Sequence, residues 1–141
     1  MDLAGYKFLI VDDHSLIRRI VISELKNLGA VGADEAADGI EAIQKIRSAS
    51  QAGTPYQIIF LDWTMPNMNG PEVLAACRAD ESMDDTAIIM LSSESEEEHV
   101  VKALEAGATA YITKPFKPEN LVQKLEDVMK WKSRNKAEKH G

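Results

Sequence analysis

The chain has a single cysteine, Cys77, among its 141 residues. It can form no internal disulfide, and a reducing compartment, the cytoplasm, is the expected setting. Cys77 itself reads as a small residue packed on a helix. No apolar run approaches the roughly 20 residues that span a bilayer, so no membrane partner is expected. The opening MDLAGYKFLIVDDH carries Asp2 and no basic region before its apolar run, and does not read as a secretory signal. Cations are also scarce: 16 Lys and Arg oppose 23 Asp and Glu, for a net charge of −7. From Lys130 onward five basic residues stand against Glu138, a net +4, which leaves residues 1–129 at −11. Phosphate contacts need Lys and Arg, so no nucleic-acid partner is expected for the body of the chain. The basic end reads as a solvated helix terminus whose cations complement the helix dipole. There is no internal repeat, low-complexity tract or linker. One domain over residues 1–141 is expected, with its core at about 5–130 and a basic helix end or tail at 131–141, and it is long enough to bury a core.

Hydrophobic residues make up 45% of the sequence, and their spacing alternates between two patterns. Tyr6–Val11, Gln57–Leu61, Thr86–Leu91 and Thr109–Thr113 are short apolar runs rich in branched residues, as in strands buried on both faces. Val31–Ala36 is a weaker strand, placed by the alternation. Helical stripes lie between them. Leu16, Ile17, Ile20, Val21, Leu25 and Leu28 form one, ended by Gly29. Ile40, Ile43 and Ile46 form a second, and Val100, Val101 and Leu104 a third, stopped by Gly107. Leu121, Val122, Leu125, Val128 and Met129 form the last, entered through Pro118. Five βα repeats predict an α/β domain, a doubly wound parallel sheet with helices on both faces.

In such a sheet, ligands bind beyond the carboxyl ends of the strands. Those ends carry Asp12 and Asp13 after the first strand, Asp62 after the third, Ser92 and Ser93 after the fourth, and Lys114 with Pro115 after the fifth. Three carboxylates at one edge repel: two unit charges ~4 Å apart cost about 4 kcal/mol at an effective dielectric of about 20. A cation relieves this, and Lys114 supplies one. A divalent ion supplies more, and an all-oxygen ligand set favours Mg²⁺. His14 follows the acidic pair without a sequence partner and is not read as a ligand. A carboxylate beside a metal can act as a nucleophile toward phosphorus, which makes Asp62 the candidate acceptor. Ser92 and Lys114 are then candidates to stabilise the equatorial oxygens. Trp63, next to Asp62, is expected to be partly exposed near the metal, and Met65 and Met68 to serve loop packing. Ser92-Ser93 with Glu96 resembles a capping box.

These residues resemble the response-regulator receiver domain over about residues 5–130. The resemblance rests on Asp12-Asp13, DWTMPNMNG at 62–70, Ser92, Tyr111, Lys114-Pro115-Phe116 and the turn AADG at 36–39. VDDHSLIRRIV and DWTMPNMNG are most similar to single-domain chemotaxis regulators of the CheY type. The resemblance implies a flavodoxin-like five-stranded sheet in the order 2-1-3-4-5. It further implies Mg²⁺ on Asp12, Asp13, Asp62 and the Thr64 backbone carbonyl, phosphoryl transfer from a histidine kinase to Asp62, and catalytic support from Ser92 and Lys114. Ser92 and Tyr111 would move as a switch, and Lys114-Pro115 would be cis. The implied protein is a monomeric regulator rather than an enzyme. Its target would bind the face of the fourth helix, fifth strand and fifth helix, the flagellar motor switch being the expected one in chemotaxis. Two features depart from the chemotaxis pattern. Thr64 stands where related regulators often carry Asn, and Glu94–Glu98 (ESEEE) makes the entrance of the fourth helix acidic. A phosphorelay intermediate is the alternative within the family. A flavodoxin-like flavin carrier is disfavoured because Asp12-Asp13 would repel a flavin phosphate. An aspartyl-phosphate hydrolase is disfavoured because Thr64 stands where a second acid would be needed.

Overall fold

The unbroken apolar runs form the strands, and the segments with helical spacing cover them. In the computed structural model, which describes residues 1–93 and 97–140, the elements run β1 (Lys7–Val11), α1 (Ser15–Asn27), β2 (Gly32–Ala36), α2 (Gly39–Gln51), β3 (Ile58–Asp62), α3 (Gly70–Arg78), β4 (Ala87–Ser92), α4 (Glu97–Glu105), β5 (Ala110–Thr113) and α5 (Pro118–His140), with a 3-10 turn at Glu81–Met83. All sheet pairs are parallel and the order is 2-1-3-4-5, as the alternation and the resemblance predicted. Successive strand residues point to opposite faces. Phe8, Ile10, Phe60 and Ile89 therefore pack against α1 and α5, while Leu9, Val11, Ile59, Leu61 and Ile88 pack against α2, α3 and α4. No described helix is long and apolar enough to cross a membrane.

Several helical stripes are narrower than their sequence suggests. In α1, Val21 and Leu25 are buried, whereas Leu16 is 68% and Ile20 42% exposed. Ile20 precedes Val21 by one residue, which is 100° around the helix and off the face that meets the sheet. Ile40 of α2 and Val101 and Leu104 of α4 are likewise exposed; Ala42 and Ala103 take the buried positions. Short side chains there let the helices lie close to the sheet. Strand limits shift by a residue at most: β2 starts at Gly32, leaving Val31 exposed, and β3 and β4 extend to include Asp62 and Ser92. α5 continues well past Lys130. Lys132 Nζ donates to the Asp85 carbonyl at 2.6 Å and Asn135 Nδ2 to Asp85 Oδ1 at 2.6 Å, so the start of the basic segment is docked on the loop before β4.

Two close approaches set the loops at the carboxyl edge. A Cβ on Gly70 would lie 2.2 Å from the Asp62 carbonyl oxygen, and one on Gly39 would lie 2.3 Å from the Met68 carbonyl oxygen. Nothing lies within 4 Å of a Cβ on Gly5. Gly70→Ala and Gly39→Ala are each expected to lose about 1–3 kcal/mol, the usual range for overpacking. Gly5→Ala should fall within about 0.5 kcal/mol of the parent protein. Urea unfolding followed by far-UV circular dichroism checks this; a Gly70→Ala protein as stable as Gly5→Ala would refute it.

Candidate functional site

The parallel register brings the predicted residues together. β3 lies between β1 and β4, with Val11 opposite Leu61 and Asp62 opposite Leu91. Asp62 therefore ends its strand between Asp12, which follows β1, and Ser92, which ends β4. Lys114 follows β5, and its N–H donates to the Ser92 carbonyl at 2.7 Å. The Lys114-Pro115 bond is cis. From there Lys114 Nζ reaches Asp12 Oδ2 at 2.6 Å and Asp62 Oδ1 at 3.3 Å. Asp12, Asp62 and Ser92 are all buried. An open cleft of about 470 Å³ is lined by Asp13, His14, Ile17, Asp62, Thr64, Ser92, Ser93 and Lys114.

Burial, and then the neighbouring Asp12 charge, push the Asp62 carboxyl up to about 6, against the opposing pull of Lys114. Burial disfavours the Lys114 charge, but its hydrogen bond to Asp12 and the charges of Asp62 and Asp12 outweigh that and raise it above the ordinary lysine value. The site thus holds unrelieved negative charge at neutral pH despite its lysine. Asp12, Asp13, His14 and Asp62 each place one ligand atom so that all four lie within 4.8 Å of one another. Ligands on opposite sides of a small divalent ion stand about 4–4.5 Å apart, so the set fits one such ion.

The surrounding loops contain contacts that no motif announced. Arg18 of α1 donates from Nη1 to the Asp12 carbonyl at 2.6 Å and from Nε to Glu35 Oε1 at 2.9 Å. The AADG turn has a clear role: Asp38 caps α2 by accepting the Glu41 N–H at 2.8 Å, and its other oxygen accepts from Asn67 Nδ2 at 3.0 Å. Asn67 has a φ of 68°, a left-handed conformation that asparagine tolerates better than most residues. Asn69 then caps α3 in a capping box with Glu72. Trp63 is half-buried and packs toward the core. Its ring stacks on His99 of α4 at 5.4 Å and lies 6.4 Å from the Tyr111 ring. Tyr111 is buried in this structure. The capping box read from Ser92-Ser93 and Glu96 falls partly outside the described residues, as does much of the acidic ESEEE segment; Glu97 and Glu98 form the first turn of α4.

The response regulator receiver domain family matches residues 8–126. The chain belongs to that family. It is 40% identical over 123 residues to the chemotaxis protein CheY1 of Helicobacter pylori, covering 87% of this chain and 96% of that protein. A CheY homolog of Campylobacter jejuni matches at the same identity and covers 92% of that protein. Among solved structures, the chemotaxis response regulator CheY4 of Vibrio cholerae superposes with a TM-score of 0.78 at 36% identity, over 87% of this chain and 98% of that one. A chain of the CheX-CheY-BeF3-Mg+2 complex from Borrelia burgdorferi gives a TM-score of 0.80 at 29% identity, over 88% of this chain and 89% of that one. This receiver domain thus closely resembles chemotaxis regulators, proteins that signal rather than act as ordinary enzymes.

The receiver's acidic edge is expected to reduce its own stability in metal-free buffer. Asp62 ionises near its ordinary value of 3.8 when unfolded and at about 6 when folded. The folded state therefore holds the proton more tightly, and stability falls as pH rises from about 4 to about 6. In EDTA at pH 7.5, Asp62→Asn should be more stable by about 1–3 kcal/mol, and the gain should vanish below about pH 4. Thermal melts across pH check this. A gain that is flat with pH would remove the role assigned to the buried carboxylate.

Proposed function

We propose that the chain is a stand-alone response regulator that accepts a phosphoryl group on Asp62 from a histidine kinase, in a Mg²⁺-dependent reaction, within chemotaxis. The observation that carries this is Lys114 Nζ joining buried Asp12 and Asp62 at the carboxyl edge of the sheet. The chemotaxis relatives that support this reading are matched over 96% and 92% of their own length. Asp12, Asp13, Asp62 and the Thr64 carbonyl would hold Mg²⁺, which would supply positive charge to the transferring phosphoryl group. Asp62 attacks phosphorus, and the bond to the donor histidine nitrogen breaks. Lys114 then neutralises one phosphoryl oxygen, and the Ser92 hydroxyl donates to another.

Readout would pass through Ser92 and Tyr111 to the face of α4, β5 and α5, where a protein target, in chemotaxis the flagellar motor switch, would bind. Moving a two-state equilibrium from 1:99 to 99:1 takes roughly 5.5 kcal/mol. One hydrogen bond to a charged group contributes about 1.5–3 kcal/mol. Ser92 alone is too weak for a complete switch, so Lys114 and the loops must share the effect. The tilted contact between Trp63 and Tyr111 supports a route from the acceptor's neighbour to that face.

Incubation with Mg²⁺ and a small phosphodonor such as acetyl phosphate should add one phosphoryl group, located at Asp62 by mass spectrometry, and Asp62→Asn should add none. Full labelling of Asp62→Asn at another residue would overturn the assignment. Ser92→Ala should still be labelled but should show weaker NMR shifts around Tyr111 on phosphorylation. Equal shifts in variant and parent would remove Ser92 from the coupling.

A further inference from the structure

We infer that His14 is a nitrogen ligand of the acidic cleft, so that the site takes borderline divalent cations such as Ni²⁺ and Co²⁺ as well as Mg²⁺. This rests on reading the cleft as a divalent-cation site. His14 occupies the N-cap of α1, where Ser, Thr, Asp or Asn ordinarily bonds the first turn; its side chain makes no such bond. The imidazole faces the carboxylates instead. Its Nδ1 lies 3.3 Å from Asp12 Oδ1 and 3.2 Å from Asp13 Oδ1. The backbone fixes this placement, because the His14 N–H donates to Asp12 Oδ1 at 2.9 Å.

The two oxygens of Asp12 have divided tasks. Oδ2 meets Lys114, and Oδ1 turns to His14. A cation seated on Oδ1 therefore has the imidazole within reach. The His14 side chain is 70% exposed, so it can adjust to a metal–nitrogen distance of about 2.1 Å without disturbing the core. Imidazole suits nickel, cobalt and zinc, whereas carboxylates and carbonyls suit magnesium and manganese. A cleft of oxygens alone would rank these ions differently from one with a nitrogen at its rim. Because both classes of ion would share Asp12, Asp13 and Asp62, a nickel-loaded cleft would exclude Mg²⁺.

The test uses the full chain carrying Trp131→Phe, so that Trp63, beside the cleft, reports binding through its emission. Ni²⁺, Co²⁺ and Mg²⁺ are titrated into the parent protein, His14→Ala and His14→Gln, with folding verified by circular dichroism. His99 and His140 are the other imidazoles, so only Ni²⁺ binding that is lost in Asp13→Asn is counted. The ratio of Ni²⁺ to Mg²⁺ affinity should fall about tenfold or more in both variants, and the visible Co²⁺ absorption of the parent should change. An unchanged ratio, or a rise in Ni²⁺ affinity as expected for a mere internal counter-cation, would overturn the inference. If the parent binds Ni²⁺ through His14 but not Mg²⁺, the inference stands and the Mg²⁺ reading falls. Binding of neither ion removes both.

Discussion

Three carboxylates and one ammonium group at the end of a parallel sheet set the terms for everything around them. Lys114 Nζ lies between Asp12 and Asp62, yet Asp62 still titrates high because its burial and the Asp12 charge together exceed what one lysine offsets. This residual negative charge suits the edge to a cation, whose charge would offset what one lysine leaves. A cluster of this kind holds only if its backbone does. Asp62 is therefore held by the end of β3, and Asp12 and Lys114 by backbone hydrogen bonds to neighbouring strands, the Asp12 N–H to the Ala36 carbonyl at 3.1 Å and the Lys114 N–H to the Ser92 carbonyl at 2.7 Å.

The loops around the cluster brace one another. Gly39 and Gly70 allow the segment after Asp62 to press against α2 and against the end of β3, and Asn67 ties that segment to the Asp38 cap. Arg18 holds the Asp12 carbonyl from the other side. The opposite end of the sheet has a comparable anchor: Arg78 donates to the carbonyls of Gly107, Met83 and Thr86 at 2.8, 2.9 and 2.8 Å, joining the α3–β4 and α4–β5 connections through one side chain. The aromatic set Trp63, His99 and Tyr111 links the residue after Asp62 to α4 and β5.

Much of this was legible in the chain itself. Apolar runs rich in branched residues, separated by helical spacing, are read without tertiary information because strand and helix periods differ. The polar residues ending those runs marked the cleft, because in a parallel sheet every strand's carboxyl end comes to the same edge. The glycine ending α1, with a φ of 99°, and Pro118 at the start of α5 followed from backbone chemistry alone.

Other features were decided only by packing. Leu16, Ile20, Ile40, Val101 and Leu104 fitted apolar stripes but are exposed, because the alanines at 42 and 103 bring α2 and α4 close to the sheet and the buried face of each helix is narrow. His14 had no partner in sequence, but the fold turns its imidazole toward two carboxylates. The stack of His99 on Trp63 joins residues 36 positions apart, and no local pattern encodes such a distance. Sequence determined which residues make strands, helices and charge, since those depend on spacing of a few residues. Tertiary structure alone decided which of those charges and rings meet, since that depends on the order of the strands and the depth at which each helix lies.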